Sequence, residues 1–232
     1  MADAPVDLSS PLAVHLVGIG GAGISAIAVI LAAMGHRVTG VDVTETKAWP
    51  ALRTAGIDPR VVDRSELFRT AAGTDAAVIA HSTAFAPTPD DRAVADAAGR
   101  RIVDRATILG AICARRTTVA VSGTHGKTST TAMLATLLDR VDADPSYLIG
   151  AVPPALDAAA RWGGPGEAFV VEADESDGSF LELGADTAVV TNVDEDHLEF
   201  WGDIDAIEAG FDRFVCAASQ AVVCLDDPSR PG

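Results

Sequence analysis

Twice in this chain an apolar run of strand length leads into a cluster of glycines and then into a helical run. The clusters are Gly18-Ile19-Gly20-Gly21-Ala22-Gly23 and Gly123-Thr124-His125-Gly126-Lys127-Thr128. Few folds admit that arrangement. A strand, a tight glycine turn and a helix open a βαβ unit, whose parallel strands need covering on both faces. Val14 to Val17 and Thr118 to Val121 supply the strands before the two turns. The helices after them run from about Ile24 to Met34, with Gly35 as a C-terminal cap, and from Thr128 to Arg140. Arg37 to Asp42, Ala76 to Ala80, Ala168 to Ala173, Thr187 to Val193 and Gln220 to Leu225 read as further strands. Pro87 and Pro89 precede a helical segment ending near Gly99, and Ile204 to Cys216 reads as another helix. The expectation is an α/β protein of two parallel-sheet domains, residues 1–115 and 116–232, divided near Arg115-Arg116-Thr117. A parallel sheet with so few strands after residue 117 reads as unfinished, so a fragment is expected.

Composition bears on this at four points. Apolar residues make up 48% of the 232, enough for buried cores. The formal net charge of −16 argues against a nucleic-acid partner, which needs a basic footprint. Cys113, Cys216 and Cys224 are widely spaced, form no CxxC and read as thiols of a reducing compartment. From Ser9 to Gly35 no Asp, Glu, Lys or Arg occurs, which on length alone could cross a bilayer. The glycines in its middle would disrupt a spanning helix, and Met1 to Ser10 carry two aspartates and no basic segment. The chain is therefore expected to be cytoplasmic, with no membrane partner; the pattern is compatible with a monomer and with a weak dimer.

The first loop contains G-x-G-x-x-G between strand and helix. Its glycines let the backbone turn and approach a pyrophosphate seated on the helix N-terminus. Asp42 ends the next strand, where a carboxylate can accept bonds from a ribose hydroxyl. His81-Ser82-Thr83 follows another strand. The loop suits a nicotinamide dinucleotide and a UDP-linked ligand equally, and a tight turn without ligand is the plain alternative. The second loop lacks the longer G-x-x-x-x-G-K-[ST] pattern, because Val121 stands where the first glycine belongs. The shorter G-x-x-G-K-T keeps the physics: amides cradle phosphates, Lys127 reaches the β and γ oxygens, and the Thr128 hydroxyl can ligate Mg²⁺. Only Lys47 and Lys127 are lysines, so one inside a glycine loop is unlikely to be incidental.

Two acidic stations follow, at Glu172-Ala173-Asp174-Glu175-Ser176-Asp177 and at Asn192-Val193-Asp194-Glu195-Asp196-His197. Either alone is more often a solvated turn. Recurring after successive strands, they converge on one crevice, where Glu172 suits a Mg²⁺ ligand and His197 a second cation or a phosphate.

With these residues the chain resembles the Mur ligases, and within them the alanine-adding branch, from about Leu12 to Pro228. The phosphate loop and the Asn192…Asp196-His197 turn are the family's general marks; the doubled glycine of the first loop and Glu172–Asp177 point to the branch. The resemblance implies a Rossmann-like N-terminal domain for UDP-N-acetylmuramate and a P-loop-type α/β ATPase domain, here incomplete, with a C-terminal amino-acid-binding domain absent. It implies an ATP- and Mg²⁺-dependent ligase joining L-alanine to the muramyl carboxylate through an acyl phosphate, in peptidoglycan precursor synthesis. Gly18, Gly20, Gly21, Ala22, Gly23, Ile24 and Ser25 would line the UDP-sugar, with Asp42 and Ser82 nearby. Gly123, Thr124, His125, Gly126, Lys127, Thr128 and Ser129 would hold ATP. Lys127, Glu172 and His197 would be catalytic, and Thr128, Glu172 and His197 the metal ligands. Such a chain is expected to bind the UDP-sugar and to form no amide alone. Ser129 stands where the family usually has threonine. No lysine follows Lys127, which excludes the carbamylated lysine of several family members and fits the alanine-adding branch.

Three rival readings remain. A nicotinamide-dependent oxidoreductase uses the first loop and leaves the second unexplained. A generic P-loop kinase does the reverse. A bare binding module describes the fragment and not its parent.

Overall fold

In the computed structural model, which describes residues 5–166 and 168–224, the chain separates into two compact units between Leu109 and Gly110. The first is built on β1 (Ala13–Val17), α1 (Ala22–Ala33), β2 (Arg37–Asp42), α2 (Trp49–Thr54), β3 (Arg60–Val61), α3 (Leu67–Ala72), β4 (Val78–His81), α4 (Pro89–Ala97) and β5 (Arg101–Asp104). Its five strands are all parallel, in the order β3-β2-β1-β4-β5. Central placement explains why β1 is apolar but for His15, with Val14, Leu16 and Val17 fully buried. The uncharged run after it is α1, which buries Ile24, Ile27, Ile30 and Leu31. Each such side chain contributes roughly 1.5–3 kcal/mol on leaving water. Twelve residues are too few to span a bilayer, and among the described residues no helix is long and apolar enough to do so.

Helix α5 (Arg105–Cys113) leads into the second unit, which continues with β6 (Thr118–Ser122), α6 (Lys127–Arg140), β7 (Ser146–Leu148), β8 (Ala160–Arg161), β9 (Phe169–Glu172), β10 (Thr187–Val190), α7 (Leu198–Trp201), α8 (Ile204–Ala217) and β11 (Gln220–Val223). The sheet order is β11-β10-β6-β9-β7-β8, with β7–β8 antiparallel and the other pairs parallel. Phe180 packs its ring on Phe211 and Phe214 of α8, at centroid distances of 5.2 and 5.0 Å.

The element boundaries depart from expectation in small ways. The apolar run from Ala76 forms a strand only at Val78–His81, because Ala76 N–H is turned back to the Thr74 hydroxyl and Ala77 N–H makes the first bond to β1, at Ala13 O. β11 ends at Val223, and Leu225 lies outside the described residues. Both sheets reverse strand order beside the strand that precedes the glycine loop: β1 lies between β2 and β4, and β6 between β10 and β9. Ligands of open parallel sheets collect at that point, beyond the carboxyl ends of the strands.

Candidate functional site

In the first unit the register sets Val17 beside Val41 and beside His81, so the turns after β1, β2 and β4 meet. Gly18 takes φ +76°, and its amide and that of Ile19 donate to Val41 O. A Cβ on Gly18 would lie 2.5 Å from Ser82 Oγ, so Ser82 stands against the loop, as its chain position after β4 requires. Asp42 is buried and its carboxylate accepts from the chain itself: Gly20 N–H at 2.8 Å and Val43 N–H at 2.7 Å. Its structural role is to fix the loop, alongside Thr46, whose hydroxyl donates to Gly20 O. Gly21 and Ala22 are exposed at the start of α1, whose first turn has no side-chain cap and no acidic residue. Free amides at a helix N-terminus suit an anion. Gly23 faces Arg105, whose guanidinium would stand 2.9 Å from an added Cβ. Ile24 is core, and the Ser25 hydroxyl donates back to Ala22 O. Sequence reading missed Arg105 and Thr46. The strand before Arg105, Arg101-Ile102-Val103-Asp104, carries charges at both ends and no period long enough to reveal it.

The second unit gathers its residues more tightly. Gly126, at φ +83°, opens α6, again without a side-chain cap or first-turn acid, and Ser129 is exposed in that turn. The loop is held from β10's far end. Asn192 Nδ2 donates to His125 O and its Oδ1 accepts from His125 N–H, both at 2.9 Å. Thr124 Oγ1 accepts from Asp194 N–H at 2.9 Å. Gly123 sits at φ +130°, where a Cβ would lie 2.1 Å from Thr191 Oγ1. Asn192 and Thr191 are thus loop-shaping residues, and the Asn in the second acidic station was the signal for them.

Thr128 Oγ1 donates to Glu172 Oε1 at 2.9 Å, and Glu172 Oε2 accepts from Gly150 N–H at 2.7 Å. Lys127 Nζ donates to Gly123 O, to Thr124 O and, at 2.7 Å, to Glu175 Oε1. Glu175 is buried; burial pushes its carboxyl pKa up, and the hydrogen bond and charge of Lys127 oppose that rise. His197, in the left-handed region at φ +52°, places Nε2 3.9 Å from Glu175 Oε1 and 3.7 Å from Asp196 Oδ2. It joins the group through Glu175 and not through Glu172. Glu175 itself was seen in the acidic run but given no role, because spacing along the chain does not show which of four carboxylates turns inward.

Among the described residues no three or more His, Cys, Asp or Glu side chains cluster to hold a metal. Mg²⁺ takes one or two protein oxygens and completes its shell with phosphates and water. The adjoining Thr128 hydroxyl and Glu172 carboxylate are oxygens of the kind such an ion takes.

Comparison with known proteins also finds two parts, with the break at residues 117–121 and not between Leu109 and Gly110. A model described as the Mur ligase family catalytic domain matches residues 13–117, and one described as the Mur ligase middle domain matches residues 121–231. Curated relatives include UDP-N-acetylmuramate–L-alanine ligases of Roseobacter denitrificans, 44% identical over 218 residues, and of Mycobacterium avium, 42% identical over 218 residues. Each alignment covers 93% of this chain but only 45% and 44% of the relative, so the chain spans less than half the length of these proteins. Among solved structures, UDP-N-acetylmuramate-alanine ligase of Thermotoga maritima superposes with a TM-score of 0.79 at 28% identity, covering 94% of this chain and 50% of that one. The UDP-N-acetylmuramate:L-alanyl-gamma-D-glutamyl-meso-diaminopimelate ligase of Neisseria meningitides gives 0.81 at 26% identity, covering 95% and 73%.

Proposed function

The chain belongs to the Mur ligase family, and from that premise we propose that its protein is an ATP-dependent carboxylate–amine ligase joining L-alanine to UDP-N-acetylmuramate. The observation that carries this reading is the Thr128–Glu172 pair beside Lys127 on the second glycine loop. A carboxylate is a poor electrophile, so amide formation needs activation. Transfer of the γ-phosphoryl of ATP to a carboxylate oxygen gives an acyl phosphate and ADP. The amine of L-alanine then adds to the carbonyl carbon, and the tetrahedral intermediate loses its proton and expels inorganic phosphate.

Two anions must meet in the first step, so the protein's contribution is charge neutralisation and alignment. Lys127 neutralises the γ-phosphate once ATP draws it from Glu175, while the amides from Gly126 to Ser129 at the start of α6 cradle the phosphate chain. Thr128 and Glu172 would hold Mg²⁺, and His197 would hold a second ion. Bound there, Mg²⁺ supplies positive charge to the phosphate oxygens. In the first unit the amides of Ala22 and Gly23 at the start of α1 receive the UDP pyrophosphate, with Ser25 and Ser82 beside it and Asp42 holding the Gly20 turn to shape. We assign the reaction to the cytoplasm and to peptidoglycan precursor synthesis.

Calorimetry with UDP-N-acetylmuramate on this chain is expected to show saturable binding that weakens on Gly20→Val; no heat would remove the role given to the first unit. For the product of the full reading frame, ADP release requiring both UDP-N-acetylmuramate and L-alanine is the expected result. ADP release that is indifferent to L-alanine would refute the ligase assignment.

A further inference from the structure

Three arginines gather at the end of the first sheet opposite its glycine loop. Arg92 lies on α4, and Arg100 and Arg101 lie where the chain leaves α4 and enters β5. Together with Asp96, Gly99 and Ile102 they line an open cavity of about 430 Å³. The local fold explains the gathering. Gly99 turns the chain at φ +67°, Arg100 N–H donates to Ala95 O, and Arg101 N–H donates to Ala77 O. Both residues thus stand at the amino ends of β4 and β5, where they line the cavity.

Their charge is poorly answered by the protein. Arg100 Nη2 donates to Thr74 O, but Arg100 Nε and Arg101 Nη2 are buried and find no hydrogen-bond partner among the described residues. Buried polar nitrogens are rarely left so, and such exceptions point to a water, an ion or a ligand. The Val94, Ala95 and Asp96 carbonyls of α4 already accept from the Ala98, Gly99 and Arg100 N–H groups. Asp96 is the one acid lining the cavity, against three arginines, and nearby Asp75, which also feels the charge of Arg100, is paired with Arg37. In a chain of formal net charge −16, this is an unusual concentration of positive charge.

We propose that this cavity is an anion site that takes a phosphomonoester, separate from the nucleotide loops. Arginine forks match the planar edge of a phosphate, donating paired N–H groups to its oxygens. The volume is within the range of small-molecule sites and exceeds what inorganic phosphate alone needs. Ile102 and Gly99 leave a less polar wall for the organic part.

The test reads the site residue by residue. Backbone amide shifts of Gly99, Arg100, Arg101 and Ile102 are followed by NMR during titration with glycerol 3-phosphate and, separately, inorganic phosphate, at ionic strength held constant with chloride. A Lys127→Ala background removes the phosphate loop's contribution. Saturable shifts at these amides are expected, with tighter binding of the phosphomonoester. Arg100→Gln with Arg101→Gln should weaken it by at least about tenfold, the scale of losing a charge-assisted pair. Arg101→Lys, which keeps charge but loses the fork, should fall between. Absence of saturable shifts at these amides, an equal response to chloride, or undiminished binding in the double glutamine variant would overturn the proposal.

Discussion

The Glu175 side chain is only 4% exposed and holds its carboxylate 2.7 Å from Lys127, which is itself 17% exposed. Each charge depends on the other, because removing one partner of a buried pair leaves the second uncompensated. Lys127→Ala is expected to destabilise the chain by roughly 1–3 kcal/mol, less than for a fully buried pair because Lys127 keeps some solvent. Glu175→Gln added to it should cost less than the sum of the two single changes. Urea unfolding of the four proteins gives the coupling directly, and strict additivity would show that the pair does not matter to stability. In the full-length enzyme Lys127→Ala should also lower kcat by about two orders of magnitude or more, the scale of a lost charge stabiliser.

His15 shows the same dependence on surroundings without a counter-charge. It is fully buried in β1, with Nδ1 2.8 Å from Thr39 Oγ1 and Nε2 unpartnered. Burial, with a smaller contribution from the charge of Arg60, lowers its pKa from 6.5 to about 4. The unfolded chain therefore binds this proton more readily than the fold does between those values. Stability is fully present above pH 6.5 and declines as pH falls toward 4, by on the order of 3 kcal/mol from this group. His15→Gln should flatten that part of the stability–pH curve measured by urea unfolding; an unchanged slope would place the acid sensitivity elsewhere.

At the scale of elements, glycines of similar backbone conformation differ in what surrounds them. Gly35 takes φ +91° after α1 with nothing within 4 Å of an added Cβ, so Gly35→Ala carries the conformational cost alone, about 1 kcal/mol. Gly123 adds a collision with Thr191 Oγ1 and with backbone of Thr191 and Asn192 at 2.9–3.0 Å. Gly123→Ala should cost roughly 3 kcal/mol or more and loosen the bond from Thr191 Oγ1 to His125 O. Equal unfolding midpoints for the two variants would contradict the packing of the loop against β10. The Gly35 turn was legible from composition and period, since a glycine after a helical run has a local reason. The Gly123 requirement was not, because its neighbours stand some seventy residues away. Strands β3, β5, β7 and β8 escaped sequence reading for a related cause: two to four residues at or near sheet edges are too short for a period to register.

At the scale of the whole molecule, Cys113 is buried and its thiol pKa is pushed up to about 12 by burial, whereas Cys216 and Cys224 are exposed. Reactivity follows the thiolate, so two thiols should label quickly at pH 8 and Cys113 only on unfolding. Three fast thiols in native conditions would contradict the burial of α5. The sequence by itself determined the α/β alternation, both glycine loops, the residue types of the phosphate chemistry and the family resemblance. All of these are recorded in local spacing, which backbone geometry reads directly. Tertiary structure alone decided that β6 lies between β9 and β10. That order puts Thr128 against Glu172 across 44 positions, turns Glu175 rather than its acidic neighbours toward Lys127, and assigns Asp42 to its own loop. The physical reason is that strand order follows from which ladders and buried faces are satisfied together, a property of the assembled sheet and not of any one segment.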